Sequence, residues 1–222
     1  HDQSSAASDV YKRQMYMLGN DWRLIVYHGT KNAQFVRDAL SSIHGVVYRN
    51  INKERLNDHS YNSLLKEPET WRYIQSLHVE KVLVFQVDSL LLQRNYQPFL
   101  KWDYIGAPWK ITNSAYVGIN EAGMSIPSLS RELRVGNGGL SIRTVEAMLS
   151  IASMNLTSDP DEQEDLFFVR NMHKFGYRVA SLEAASRFAL EVMVPEIDVN
   201  DVFGIHQSWL YVNEKVHEAL IS

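Results

Sequence analysis

Four clusters along the chain combine residue types that could do chemistry. In the first, Phe85-Gln86-Val87-Asp88-Ser89, an apolar run ends in an acid. A carboxylate just past the carboxyl end of a strand stands where open α/β sheets bind ligands, and it can hold Mg²⁺ or Mn²⁺, hard cations that take oxygen ligands and bridge diphosphates. Asp88 is equally suited to cap the turn that follows. The second cluster, Val135-Gly136-Asn137-Gly138-Gly139-Leu140-Ser141, sets glycines inside an apolar strand pattern. Glycines so placed mark a tight turn or the approach of a ligand to bare backbone. With no Walker lysine and no GxGxxG spacing, this is not a phosphate loop or a dinucleotide fingerprint.

The third cluster is Asp161-Glu162-Gln163-Glu164-Asp165 ahead of Leu166-Phe167-Phe168. Acids in a first helical turn complement the helix dipole without any chemistry, while one that faces a crevice is a candidate base. An apolar face of Leu166, Phe167, Val169 and Met172 is expected on that helix. The fourth is Phe203-Gly204-Ile205-His206-Gln207-Ser208-Trp209. His206 suits a metal ligand, a base near neutral pH or a plain hydrogen-bonding role, and Trp209 suits a sugar-stacking ring or core. His28, His44, His59, His78 and His173 show no HxxxH or HxH spacing, and there is no GxSxG nucleophile elbow.

Composition narrows the classes. The absence of cysteine removes disulfides, thiolate metal sites and cysteine nucleophiles together. Formal charge is −4 at pH 7 with no basic block, so no nucleic-acid partner is expected. The longest apolar runs, such as Val82-Leu83-Val84-Phe85, are far below the roughly 20 residues of a membrane span. A soluble, cytoplasmic protein is the expectation.

The elements that must position these clusters follow from periodicity. Strands are expected at Arg23–Tyr27, Val46–Tyr48, Lys81–Gln86, Asp103–Pro108, Val135–Arg143 and Tyr177–Ala180. Helices are expected through Phe35 to Ile43, over Asp58–Lys66, over Pro68–Leu77 with proline in the first turn, and over Thr144–Met154 and Glu162–His173. His206 to Ala219 reads as a loop followed by a helix, and Ile111 to Arg131 as a lid or binding loop. The alternation predicts an α/β single domain with a mostly parallel central sheet flanked by helices. His1 to Gln14 is polar, lacks apolar periodicity and resembles a translated adapter, so it is set apart as a non-native or disordered leader before a domain at 15–222.

Taken in order, these segments resemble the uncharacterised glycosyltransferase-like domains related to GT-A nucleotide-sugar transferases. The matching stretches are Asp21-Trp22 with His28-Gly29-Thr30 and Asn32, Tyr61-Asn62-Ser63-Leu64-Leu65, Phe85 to Ser89, Asp103-Tyr104-Ile105-Gly106-Ala107-Pro108-Trp109, Val135 to Ser141, Glu164 to Phe168, and Phe203 to His206 ahead of Trp209. They span about residues 15 to 212. The resemblance implies a GT-A-like domain whose first strand precedes this chain. It also implies a divalent metal, Mn²⁺ or Mg²⁺, on Asp88 and His206, with Gln86 standing where many relatives carry a second acid. Gln86, Asn137, Gly138 and Gly139 would line the donor sugar. Asp165, after Glu164, would supply the base of an inverting transfer, and Trp109 and Trp209 would stack on the acceptor or close the site.

The implied partners are a nucleotide-sugar donor and a glycan or small-molecule acceptor. Two other classes stay open: a catalytically silent nucleotide-sugar or glycan-binding module, and a metal-dependent phosphohydrolase, for which the paired Asp/His of a two-metal site are lacking.

Overall fold

A computed structural model describes residues 3–109, 135–154, 156, 162–191 and 198–207, with the side chains of 3–8 left aside. The chain divides into two compact units, His1–Tyr61 and Asn62–Ser222. Each is described by itself. Among the described residues no helix is long and apolar enough to cross a membrane.

In the first unit, helix α1 (Gln3–Leu18) precedes strand β1 (Ile25–His28), helix α2 (Ala33–Ala39) and strand β2 (Val47–Asn50). The segment set apart as a leader is thus largely helical rather than disordered. Free of Gly and Pro between Gln3 and Leu18, it has nothing to break a helix, and Gln14 and Leu18 within it are buried. β1 and β2 pair in parallel from Ile25↔Val47 to His28↔Asn50, the βαβ arrangement that the strand–helix–strand pattern predicts. Helix α3 (Asp58–Lys66) contains the boundary between the units.

The second unit carries α4 (Pro68–Ser76), β3 (Lys81–Phe85), β4 (Leu90–Leu91), β5 (Tyr104–Pro108), β6 (Val135–Thr144), α5 (Val145–Ser153), α6 (Glu164–Lys174), α7 (Leu182–Phe188), β7 (Ala189–Leu190) and β8 (Gly204–Ile205). Pro68 opens α4 where its missing N–H has no partner to lose. Trp71 on α4 is fully buried, its indole N–H donates to Leu65 O at 2.6 Å, and its ring meets Phe168 of α6 edge-on at 6.0 Å. Leu140 and Ile142 of β6, Met148 and Ile151 of α5, and Phe167 and Phe168 of α6 are buried with it. Phe188 and Phe203 stack at 5.5 Å beside β7 and β8.

The architecture is mixed α/β, but the expected mostly parallel central sheet is corrected. Sheet order is β3-β6-β5 and β4-β8-β7, and β6 runs antiparallel to both of its neighbours. Among the described residues only β1–β2, β7–β8 and an isolated Tyr104↔Val179 bridge are parallel. The apolar run of β3 suggested a strand covered on both faces; among the described residues β3 is instead an edge strand in which Leu83 is buried and its neighbours are partly exposed. Apolar content reports burial and leaves the direction of the neighbouring strand open.

Candidate functional site

Strand ends assemble the site. β8 has β7 alongside in parallel and β4 alongside in antiparallel, in the registers Leu190↔Ile205 and Leu90↔Ile205. One step past Ile205 is His206, one step past Leu190 is Glu191, and the chain enters β4 through Asp88 and Ser89. Three ionisable side chains therefore leave one end of one small sheet. A turn tightens this end: Ser89 N donates to Gln86 O at 3.0 Å, and Ser89 Oγ donates to Gly139 O at 2.8 Å. Gln86 N donates to Gly139 O at 3.0 Å, which joins the turn to the glycine strand β6.

His206 is the centre of the cluster and is 4% exposed. Its Nε2 is hydrogen-bonded to Gln86 Oε1 at 3.1 Å and lies 3.5 Å from Asp88 Oδ1, while Nδ1 lies 3.3 Å from Glu191 Oε1. Burial works against a charged imidazole, but the Asp88 and Glu191 carboxylates outweigh it and lift the His206 pKa to about 9. Burial likewise pushes Asp88 up, and His206 more than reverses it, holding Asp88 below the ordinary carboxylate value. The ring lies flat against β6, where a Cβ at Gly139 would overlap it. Glycine at 139 is required by this close approach.

The donor types at this end suit a hard divalent cation. Asp88 Oδ1 is a buried oxygen that accepts no hydrogen bond from the described residues, and an imidazole and an amide oxygen stand beside it. Among the described residues no group of three or more His, Cys, Asp or Glu side chains forms a cage by itself. A cation here would draw further ligands from Gln86, water or a bound phosphate, as Mg²⁺ sites commonly do.

On the other side of the glycine strand, Arg143, at the far end of β6, is fully buried and forks onto Glu164, with Nη1 to Oε2 at 2.6 Å and Nη2 to Oε1 at 2.8 Å. Its Nε donates to Ser141 Oγ at 2.9 Å, and its guanidinium lies 4.8 Å from the Tyr104 ring centre. Asp165 Oδ2 accepts Gly138 N–H at 3.0 Å and Oδ1 accepts Leu166 N–H at 2.7 Å, while Arg143 Nη2 donates to Gly138 O at 3.3 Å. The two peptide groups of Gly138 are thus held from α6 and from β6 itself. Burial, and then the negative charge of Glu164, push Asp165 up to about 7 against the pull of those backbone donors and Arg143.

Gln86, Asp88, Asn137, Gly139 and His206 come together at one end, and Gly138 with Asp165 lies next along the same strand. Glu164 has both oxygens engaged by the Arg143 fork in the core. On the apolar face of α6 it is Phe168, in place of the expected Leu166, that is buried beside Phe167, Val169 and Met172. Trp109 follows β5 half-buried, its indole 3.5 Å from where a Gly136 Cβ would sit. Trp209, Asp161 and the loop Ile111 to Arg131 lie outside the described residues. Two participants carry no sequence signal of their own, Arg143 at the end of a strand and Glu191 after a two-residue strand.

A family model described as "Protein of unknown function (DUF5672)" matches residues 46–206. The chain belongs to this family. The matched span contains every described residue of the site, from Gln86 through Glu191 to His206. No curated protein matches the chain. Among solved structures it is similar to HddC from Yersinia pseudotuberculosis, with 14% identity, 78% of this chain and 74% of that chain covered, and a TM-score of 0.43.

Proposed function

We propose that this domain is a glycosyltransferase of the GT-A-like kind, moving a sugar from a nucleotide-sugar donor to an acceptor hydroxyl with inversion at the anomeric carbon. The observation that carries this reading is the set of Asp88, Gln86 and His206, whose ring packs on the Gly139 backbone beside Asn137 and Gly138, with the high-pKa Asp165 on the same strand's other side. Asp88 and His206, with Gln86 beside them, would hold Mn²⁺ or Mg²⁺. When bound, such a cation neutralises charge on the departing diphosphate.

The chain's own groups do the rest. Asn137, Gly138 and Gly139 are the segment assigned to the sugar; His206 packs on Gly139, Glu164 and Arg143 pack on Gly138, and Ser89 and Gln86 bond the Gly139 carbonyl and hold the segment in register. A carboxylate with a pKa of about 7 is well matched to taking the acceptor's proton near neutral pH, and that is the role assigned to Asp165. Trp109 is the ring assigned to the acceptor side.

The test is calorimetry in Mn²⁺ with several nucleotide sugars, on the unaltered chain and on Asp88→Ala. Donor binding that needs Mn²⁺ and weakens at least tenfold in the variant supports the reading; binding that survives unchanged defeats it.

A second reading is favoured by one observation: both Asp165 oxygens already accept backbone N–H groups. A silent nucleotide-sugar or glycan-binding module needs no free base. Under the transferase reading Asp165→Asn abolishes sugar transfer and keeps donor binding, whereas a module binds donor and yields no transfer product before or after the substitution.

A further inference from the structure

Glu191 belongs to none of the motifs singled out in the sequence, yet it touches both halves of the site. Its Oε2 accepts from Asn137 Nδ2 at 2.7 Å, and its Oε1 lies 3.3 Å from His206 Nδ1. Asn137 is fixed in turn, because its Oδ1 accepts Gly139 N–H at 3.0 Å. The amide cannot be turned end for end without losing that bond, so Nδ2 must face Glu191. Gly139 closes the circuit, since its backbone is the surface against which the His206 ring packs. Residues 139, 137, 191 and 206 therefore form a ring of contacts in which Glu191 accepts from Asn137 on one oxygen and sets the other at ion-pair distance from the His206 ring. A carboxylate supplies both the acceptor and the negative charge; a carboxamide in its place is neutral and presents NH₂ to either Asn137 Nδ2 or the imidazole.

We propose that Glu191 is a positioning residue that holds the His206 ring and the Asn137 amide in fixed relation, so that the cation-facing end of the site and the sugar-facing glycine strand move as one piece. With Nδ1 facing the Glu191 carboxylate at 3.3 Å, the imidazole turns Nε2 towards Gln86 and Asp88. Carboxylates that orient a ligating histidine through its other nitrogen are worth about 10- to 100-fold in metal affinity. The role in cation and donor binding rests on the transferase reading above; the role in orienting the ring does not.

The test uses Glu191→Gln, which keeps the volume, and Asn137→Asp, which sets a like charge against Glu191, each checked for native circular dichroism. In the unliganded chain, a nuclear Overhauser contact is expected between His206 Hε1 and the Gly139 Hα protons, and it is expected to vanish in both variants. Mn²⁺ affinity, read from the free-ion electron paramagnetic resonance signal, is expected to fall about 10- to 100-fold in Glu191→Gln. If the Hε1–Hα contact persists in both variants, the proposal is overturned whatever Mn²⁺ does. If the unaltered chain binds no Mn²⁺ while the contact is present there and lost in the variants, the transferase reading fails and Glu191 remains the residue that orients His206.

Discussion

Two buried cations in this domain are held in different ways, and the difference predicts how each responds to substitution. Arg143 meets Glu164 in a two-point fork sealed from solvent on both sides. Removing one partner strands the other charge in the core, so Arg143→Met is expected to lower unfolding stability by about 3–5 kcal/mol in urea titrations, and the double change Arg143→Met with Glu164→Leu to recover most of the loss. His206 is instead faced by two carboxylates at ion-pair distance, neither of them a well-aligned hydrogen bond. Its high pKa therefore depends on charge, and Asp88→Asn is expected to bring its midpoint from about 9 towards 6.5, read from the ring proton shifts in a pH titration. An unmoved midpoint would mean that Glu191 alone sustains the charge.

At the scale of elements, β6 is the piece on which the site depends, because its glycines let side chains from other strands and from α6 lie directly on its backbone. Gly139→Ala places a methyl group in the His206 ring. It is expected to cost about 1–3 kcal/mol, seen as a lower Tm, and to weaken Mn²⁺ binding by displacing the imidazole. The glycine strand, the acidic start of α6 and the turn after β3 were all legible in the chain's local pattern, as were α3, α4 and α5 to within a residue or two at each end. Strand direction was not, since parallel and antiparallel neighbours demand the same apolar residues of a strand like Lys81–Phe85. Nor were β7 and β8 legible. Two residues carry no period, and they become strands only through pairing across the fold, β7 with β8 and β8 with β4. Glu191 was invisible for the same reason, as its meaning comes from a register with residue 206. Glu164 and Asp165 are neighbours of like charge, and only the packing of α6 against β6 gives one an arginine and the other a glycine amide.

For the whole molecule, the shifted groups combine into a pH profile whose sign can be worked out. Asp165 has a folded pKa of about 7, raised from 3.8, so its contribution to stability is full below about pH 3.8 and is lost as pH rises through about 7. His206, raised from 6.5 to about 9, contributes fully below 6.5 and loses that contribution as pH rises through about 9. Asp88 and Asp103 run the other way. Burial pushes each up, but His206 for the one and Arg178 with Thr144 for the other bring them below 3.8, so their contributions are present above 3.8 and fade as pH falls through the folded values. Acid-labile and base-labile terms thus overlap best in mildly acidic solution. The expected result is a Tm that peaks between about pH 4 and 6 and declines towards pH 9, by roughly 2–4 °C for each kcal/mol lost. Asp165→Asn should flatten the part of the decline below pH 7, and His206→Gln the part between pH 7 and 9. A Tm that climbs from pH 5 to pH 9 would contradict the charged, carboxylate-held His206, and a decline that both variants leave intact would assign the loss to other groups.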